Sequence, residues 1–261
     1  MTTLERLNRG RSLPLAGLGV ILLLLLPWWL AVHLGVRSVI LPPLTNIAST
    51  FAALIVNRTL LSSTLISLAR VNAGFALALG SAVPFGMLLG RYRLLRLACE
   101  PLIESFRFVI PFAWIPLVVL WFGTAETGKL FIIWYAGFFL LLLPTIDAVR
   151  NVDPDLIKAA RTLGAGSPTI SFKVILPAIL PDLVTAMRVA FAICWISVLA
   201  AELAASRSGL GYMISDAREL LETDVVIVGM IVIGCIGAAY NWLFRWIEHR
   251  LSRHRAKLAE I

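Results

Sequence analysis

Three kinds of residue in this 261-residue chain could carry chemistry: a glycine-rich run ending in lysine, a few histidines and cysteines, and arginines set among apolar residues. The run Gly123-Thr-Ala-Glu-Thr-Gly128-Lys129 approaches the loop that cradles nucleotide phosphates. That loop needs Ser or Thr after the lysine to hold magnesium, and a strand before it. Leu130 follows Lys129 and long apolar segments flank the run, so no nucleotide site is read here. His33, His249 and His254 have no carboxylate and nucleophile beside them in a catalytic pattern, and no His-Glu-x-x-His or Ser-His-Asp set can be placed. Cys99, Cys194 and Cys235 are widely separated, with neither metal-ligand nor disulfide spacing. No catalytic and no metal-binding residue is therefore expected.

The arginines are the more telling group, because of what surrounds them. The chain is 59% hydrophobic and 15% charged, with a mean hydropathy of +0.90. Soluble domains carry about 25% charged residues, so this composition describes an integral membrane protein. Apolar runs long enough to span a bilayer cover about 15–34, 63–90, 97–122, 130–149, 180–203 and 225–246. Arg70, Arg107 and Arg188 fall inside them. An arginine at the bilayer centre costs about 3 kcal/mol on insertion scales, so each must pair, reach the interface or line water. Arg107 lies one turn from Glu104, an i,i+3 pair. Arg188 has no acid one turn away, the nearest at helical range being Asp182, which leaves it open to a path role or to a partner on another span. Glu202, at the end of the fifth span, reads as a gate or a packing contact. Trp114, Trp121, Trp134 and Trp195 read as packing or interface anchors.

The elements that must hold these residues follow in order. Arg6, Arg9 and Arg11 precede the first apolar run, which lacks a small-residue cleavage site and reads as a retained span rather than a signal peptide. The segment from Asn46 to Val56 is amphipathic and reads as an interfacial helix. Gly86 and Gly90 suit close helix packing in the second span, and Pro111 and Pro116 are expected to bend the third. Fifteen of the 23 lysines and arginines gather at one set of span ends, five at the other, and three lie within spans. By the positive-inside rule this bias puts both termini and the 150–177 loop in the cytoplasm, and it accounts for the net charge of +8 without any nucleic-acid partner. Arg70, like Arg107, is then expected to pair near the cytoplasmic end of its span.

The loop from Asp153 to Pro181 carries a helix of its own. Asp153 can cap it, Pro154 suits its first position, and Asp155 is favoured in its first turn. Gly164 and Gly166 offer an end, and Pro168 blocks continuation. Ala159 and Ala160 leave its middle small, open to the close approach of another surface.

This loop resembles the cytoplasmic loop of bacterial ABC-importer permeases. The family pattern is Glu-Ala-Ala, three residues, Gly, nine residues, Ile, any residue, Leu-Pro. Ala159, Ala160, Gly164, Val174, Leu176 and Pro177 fall at matching positions, with Lys158 where the family has Glu and Val174 where it has Ile. Leu41-Pro42-Pro43, Arg107 to Pro116, Leu120-Trp-Phe-Gly123 and Gly209-Leu-Gly-Tyr212 are similar to the nitrate/sulfonate/taurine branch. Glu126-Thr-Gly-Lys129 and Glu222-Thr-Asp-Val225 are most similar to taurine-type permeases.

The resemblance implies an all-α integral membrane protein with six transmembrane helices, of the type I importer fold. Its domains would be 1–59 (tail, first span and interfacial helix), 60–246 (permease core, coupling loop 150–177) and 247–261 (basic tail). It implies a transport subunit of the inner membrane rather than an enzyme. The substrate would be a small anion, a sulfonate such as taurine, or nitrate or a carboxylate. The partners would be an ATPase dimer carrying ATP and magnesium, a periplasmic substrate-binding protein and a second permease copy. Asp155, Leu156, Lys158, Ala159, Ala160, Arg161, Gly164 and Ala165 would meet the ATPase; Arg188, Arg107 and Glu202 would belong to the substrate path. A membrane-embedded enzyme would need titratable groups gathered at one depth, and a passive channel would have no use for the loop helix. The topology is checked by cysteine labelling: sites at Arg93 and Ser167 should react only from the cytoplasm, and sites at Asn57 and Ser206 only from outside. External labelling at Ser167 would overturn it.

Overall fold

The computed structural model describes residues 41–259, with Trp28 and Leu30 before them and side chains as far as Arg250. The expected first span, 15–34, otherwise lies outside the described residues, as do Arg6, Arg9 and Arg11. Every regular element among the described residues is helical. Helix α1 (Leu44–Val56) follows Pro43 and covers the segment read as an interfacial helix. Arg58, in left-handed conformation at φ 58°, turns the chain into α2 (Thr59–Arg91). Then come α3 (Arg93–Arg107), a 3₁₀ turn (Pro111–Trp114), α4 (Ile115–Phe122) and α5 (Glu126–Arg150). The loop helix is α6 (Pro154–Thr162). A short α7 (Ser167–Ile170) runs through a π-helical turn (Ser171–Ile175) into α8 (Leu176–Ala205). Helices α9 (Leu210–Glu219) and α10 (Thr223–Ala259) complete the chain.

Four of these stretches are long and apolar enough to cross a membrane: Thr59–Arg91, Glu126–Arg150, Ser167–Ala205 and Thr223–Arg250. The pair α3 and 3₁₀-α4 makes a fifth if taken as one span, bent by 83°. The bend arises ahead of Pro111, which cannot donate to a continuing helix. Pro116 bends nothing, contrary to expectation. It sits in the first turn of α4, where its missing N–H would have had no intrahelical partner. The fifth expected span also begins earlier than the sequence indicates, at Ser167 rather than near 180. Pro168 and Pro177 both occupy first-turn positions and start helices rather than breaking them. The stretch after Ala205, expected as a polar loop, folds into α9 beyond Gly209.

The centre of the bundle is the contact of α2 with α5. Gly74, Ala78, Ala82, Gly86 and Gly90 repeat every four residues, which puts them on one face of α2. A Cβ on Gly74 would lie 2.5 Å from Ile133, one on Gly86 2.8 Å from Thr145, and one on Gly90 2.7 Å from Val149. Dispersion between closely approaching backbones replaces the hydrophobic drive that lipid does not supply. Helix α8 packs against both, meeting α5 and α2 at Gly137, where a Cβ would stand 2.8 Å from Cys194 and 2.9 Å from Ala78, with Cys194 Sγ donating to the Ile133 carbonyl. Phe191 of α8 stacks on Tyr240 of α10 at 4.2 Å and meets Phe75 of α2 edge-on at 5.2 Å. Gly80 is on the other face of α2, and a Cβ there meets nothing within 4 Å. Gly86→Ala should therefore cost about 1–3 kcal/mol through overpacking and lower the melting temperature in detergent, whereas Gly80→Ala should leave it unchanged or raise it. Equal effects would refute the assigned α2–α5 contact.

Candidate functional site

Two groups of predicted residues can be located, one at each end of the bundle. At the end where α2 and α5 finish, α6 forms as its sequence requires. The Asp153 side chain accepts a hydrogen bond from the Asp155 N–H at 2.9 Å, and Pro154 opens the helix. The C-terminus closes on Gly164, at φ +79°. The Ala165 N–H donates to the Ala160 carbonyl at 3.0 Å and the Gly164 N–H to the Arg161 carbonyl at 2.9 Å, the paired bonds of a Schellman cap. Lys158 pairs with Asp155 at 2.8 Å within the helix.

The loop residues split between two faces. Ile157, Ala160 and Ala165 pack inward on a cluster of Val149, Val152, Ile170, Ile175 and Ile179. Ala160 and Ala165 thus anchor the helix rather than line its outer face. Asp155, Leu156, Lys158, Ala159, Arg161 and Gly164 are exposed. Leu163, which the sequence reading overlooked, is 87% exposed and Leu156 52%. Arg91, at the end of α2, donates to the Ser167 carbonyl at 3.1 Å and to Ser171 Oγ at 3.0 Å, tying that span to the start of α7.

The intramembrane charges lie elsewhere. Arg70 pairs as expected, but toward the end of the bundle opposite α6. Its guanidinium uses all five N–H groups: Nε and Nη2 donate to Glu126 at 2.7 and 2.6 Å, Nη1 to Glu202 and to the Ser208 carbonyl at 2.7 Å each, and Nη2 to Ser208 Oγ at 2.8 Å. Lys129 adds a bond to Glu126 at 2.8 Å, so two cations face two carboxylates. Glu202 is fully buried and also accepts from Ser67 Oγ at 2.8 Å and the Gly211 N–H at 2.9 Å. Gly209, at φ +104°, passes so close that a Cβ would stand 2.3 Å from the Glu202 carboxylate. Only glycine fits there on both counts. Glu202 is accordingly a packing contact locking α8 to α2 and α9.

Arg188 has an acid after all. Its Nη1 stands 3.5 Å from Glu248 on α10, which also accepts from Thr185 Oγ1 at 2.6 Å. The partner lies sixty positions along the chain, where no helical spacing could reveal it. Arg107 makes the expected pair with Glu104 at 3.4 Å. Lys129, the would-be phosphate lysine, is consumed by Glu126, and helix α4 rather than a strand precedes Gly123. Ser67, Glu126, Lys129 and Ser208 were missed as a cluster. Their signal was available in the span ends, since all sit at the same end of the bundle as Arg70. Removing one partner of a buried ion pair costs about 3–5 kcal/mol, whereas replacing both with apolar residues is often neutral. Arg70→Met should lower the melting temperature in detergent, and adding Glu202→Met should recover most of the loss, leaving the Lys129–Glu126 pair intact. A double variant as unstable as the single would contradict this reading.

Residues 82–253 match the family model described as binding-protein-dependent transport system inner membrane component. A protein of Methanocaldococcus jannaschii named for an ABC transporter permease is 41% identical over 85% of this chain and 84% of its own length. The taurine transport system permease of Escherichia coli is 33% identical over 90% of this chain and 88% of its own, and a bicarbonate transport system permease of Synechococcus elongatus 32% over 70% and 68%. Among solved structures, the MetNI methionine ABC transporter in an inward-facing form superposes with a TM-score of 0.64 at 20% identity, over 74% of this chain and 96% of that one, which establishes the fold. The capped loop helix, the all-helical bundle and these matches agree: the chain belongs to the family of inner-membrane components of binding-protein-dependent transport systems, and is a permease subunit of an ABC importer, a transport component and not an enzyme.

Proposed function

We propose that this permease moves a small anion across the inner membrane: a sulfonate such as taurine first, with bicarbonate, nitrate or a carboxylate as the second reading. The names of its relatives support the anion class, since taurine and bicarbonate permeases are 33% and 32% identical to it. Both termini and α6 face the cytoplasm in this reading, as the charge bias requires. An ABC ATPase dimer binds ATP and magnesium there, a substrate-binding protein delivers the anion from the periplasm, and a second copy of the chain completes the path.

The observation that carries the reading is the two-faced character of α6. A nine-residue helix has little stability of its own, yet this one is capped at both ends and anchored through Ile157 and Ala160. Its outer face nonetheless leaves Leu156 and Leu163 in water. A partner cleft that buries these leucines gains about 2 kcal/mol from each. Closure of the ATPase then pushes α6, and the cluster of Val149, Ile175 and Ile179 passes the push to α5 and α8. The basic residues Lys158 and Arg161 flank the leucines and suit an acidic rim on the cleft.

The test is association with the ABC ATPase of the same importer. Leu163→Asp should weaken co-purification at least tenfold while membrane insertion and melting temperature stay as in the parent. Ala160→Asp, which strikes the anchored face, should lower the melting temperature as well. Full ATPase binding by Leu163→Asp would remove α6 from the interface.

A further inference from the structure

We propose that the break in the third span is a binding station on the translocation path, taking a small organic anion whose charged head meets Arg107 and whose carbon body lies against Phe108, Tyr135 and Phe139. This deepens, and rests on, the anion-importer reading. The chain leaves helical geometry between Arg107 and Pro111, and the two halves meet at 83°. Broken backbone at membrane depth persists only where protein or a water-filled cavity satisfies it. Here α5 does part of that work: the Tyr135 hydroxyl donates to the Phe106 carbonyl, which also accepts from the Val109 N–H at 3.0 Å. The break is thus held in place by a neighbouring span.

A cavity of about 380 Å³ opens beside it, lined by Arg107, Phe108, Pro111, Tyr135, Phe139 and Leu143 among others, with Ile193 contributed by α8. That volume falls within the range of small-molecule sites, about 300–1,000 Å³. Tyr135, Phe139 and Leu143 recur every four residues in the middle of α5, and Ile193 is near the middle of α8, so the cavity lies at mid-height in the bundle. Arg107 is the one charged side chain among the described residues that line it.

The three intramembrane arginines are not equivalent. All five donors of Arg70 are taken, and Arg188 is matched by Glu248 across the helix interface. Arg107 is 35% exposed, and among the described residues its ion pair is the 3.4 Å contact to Glu104 on its own helix, itself about half exposed. The guanidinium stands over the Phe108 ring, 4.8 Å from its centre, a cation–π contact that orients the group without using its hydrogen-bond donors. A cation with spare donors, set in an aromatic cavity at mid-membrane, is what a small anion needs to shed water and what an arginine needs to offset its own cost there. Glu104, 3.4 Å away on the same helix, competes with the anion for the guanidinium and so keeps the station from holding it permanently.

The test uses the whole importer, with its ATPase and binding protein, and two readouts. In the first, uptake of taurine, bicarbonate and nitrate is measured. Arg107→Gln should lose at least tenfold of the uptake seen in the parent, while Arg107→Lys keeps more of it, with both still co-purifying with the ATPase. The second readout needs no transport and no assembly. A cysteine at Leu143 should react with a negatively charged methanethiosulfonate sulfonate at least tenfold faster than with its trimethylammonium counterpart, relative to the parent with its own cysteines, and Arg107→Gln should abolish that preference. Uptake undiminished in Arg107→Gln, or a charge preference that is absent or survives the substitution, would overturn the station while leaving the importer intact. Failure of the parent itself to take up any of the three anions would overturn the anion reading, and the station with it.

Discussion

The guanidinium of Arg70 is the point on which the bundle turns. It sits on α2, is gripped by Glu126 at the start of α5 and by Glu202 near the end of α8, and holds the Ser208 turn that leads to α9. Four segments meet at one cation. In water such a network would be worth little, because exposed ion pairs contribute about 0–1 kcal/mol. Arg70, Lys129 and Glu202 are buried, and there the alternative to pairing is an uncompensated charge in a low dielectric. Two positive and two negative groups leave no net charge, and every guanidinium donor is used. The cluster specifies which spans are neighbours. The small-residue face of α2 then specifies how closely they approach.

Much of this was legible in the sequence, for identifiable reasons. Span positions follow from hydropathy because lipid admits only backbones that satisfy themselves. The α6 cap was legible because Asp153, Pro154 and Gly164 act through local backbone chemistry. The close packing at Gly86 and Gly90 was legible as a pattern, although its extension through Gly74 was not recognised. What could not be read were long-range partnerships. Glu248 reaches Arg188 and Glu202 reaches Arg70 only after the chain has folded. Among the prolines expected to bend a span, Pro111 does and Pro116 does not. Pro116, Pro168 and Pro177 occupy first turns, and Pro84, Pro144 and Pro181 lie inside helices, so position along the element and not residue type decides what a proline does. Lys158 looked like a departure from the loop pattern. The structure gives it an intrahelical partner in Asp155, so the charge reversal leaves α6 capped and intact.

The architecture divides labour by how firmly each part is held. Helices α2, α5 and α8 are knit by glycine contacts along their length and by the Arg70 cluster at the end opposite α6. Helix α6 is joined to this unit by a small apolar cluster and presents leucines outward. The bent third span meets the unit through Tyr135 and the aromatic residues around it, with Trp114 packed on Tyr135 and Phe131. Under the proposed function, a push at α6 enters this body, and the proposed place for it to act on a solute is the broken span beside it. Transport by this design needs no catalytic group in the permease. In the proposed function, the chain converts a displacement at one surface into a change of access at mid-membrane.

The most direct measurement is solute uptake into proteoliposomes that hold the complete importer, with ATP supplied on one side only. An ATP-driven anion permease with α6 facing its ATPase predicts uptake of labelled taurine or one of its rival anions only when the binding protein is on one face and ATP is on the face that carries α6, with no uptake by the chain alone. Uptake by the chain alone down a concentration gradient, or uptake driven by ATP on the face opposite α6, would contradict it.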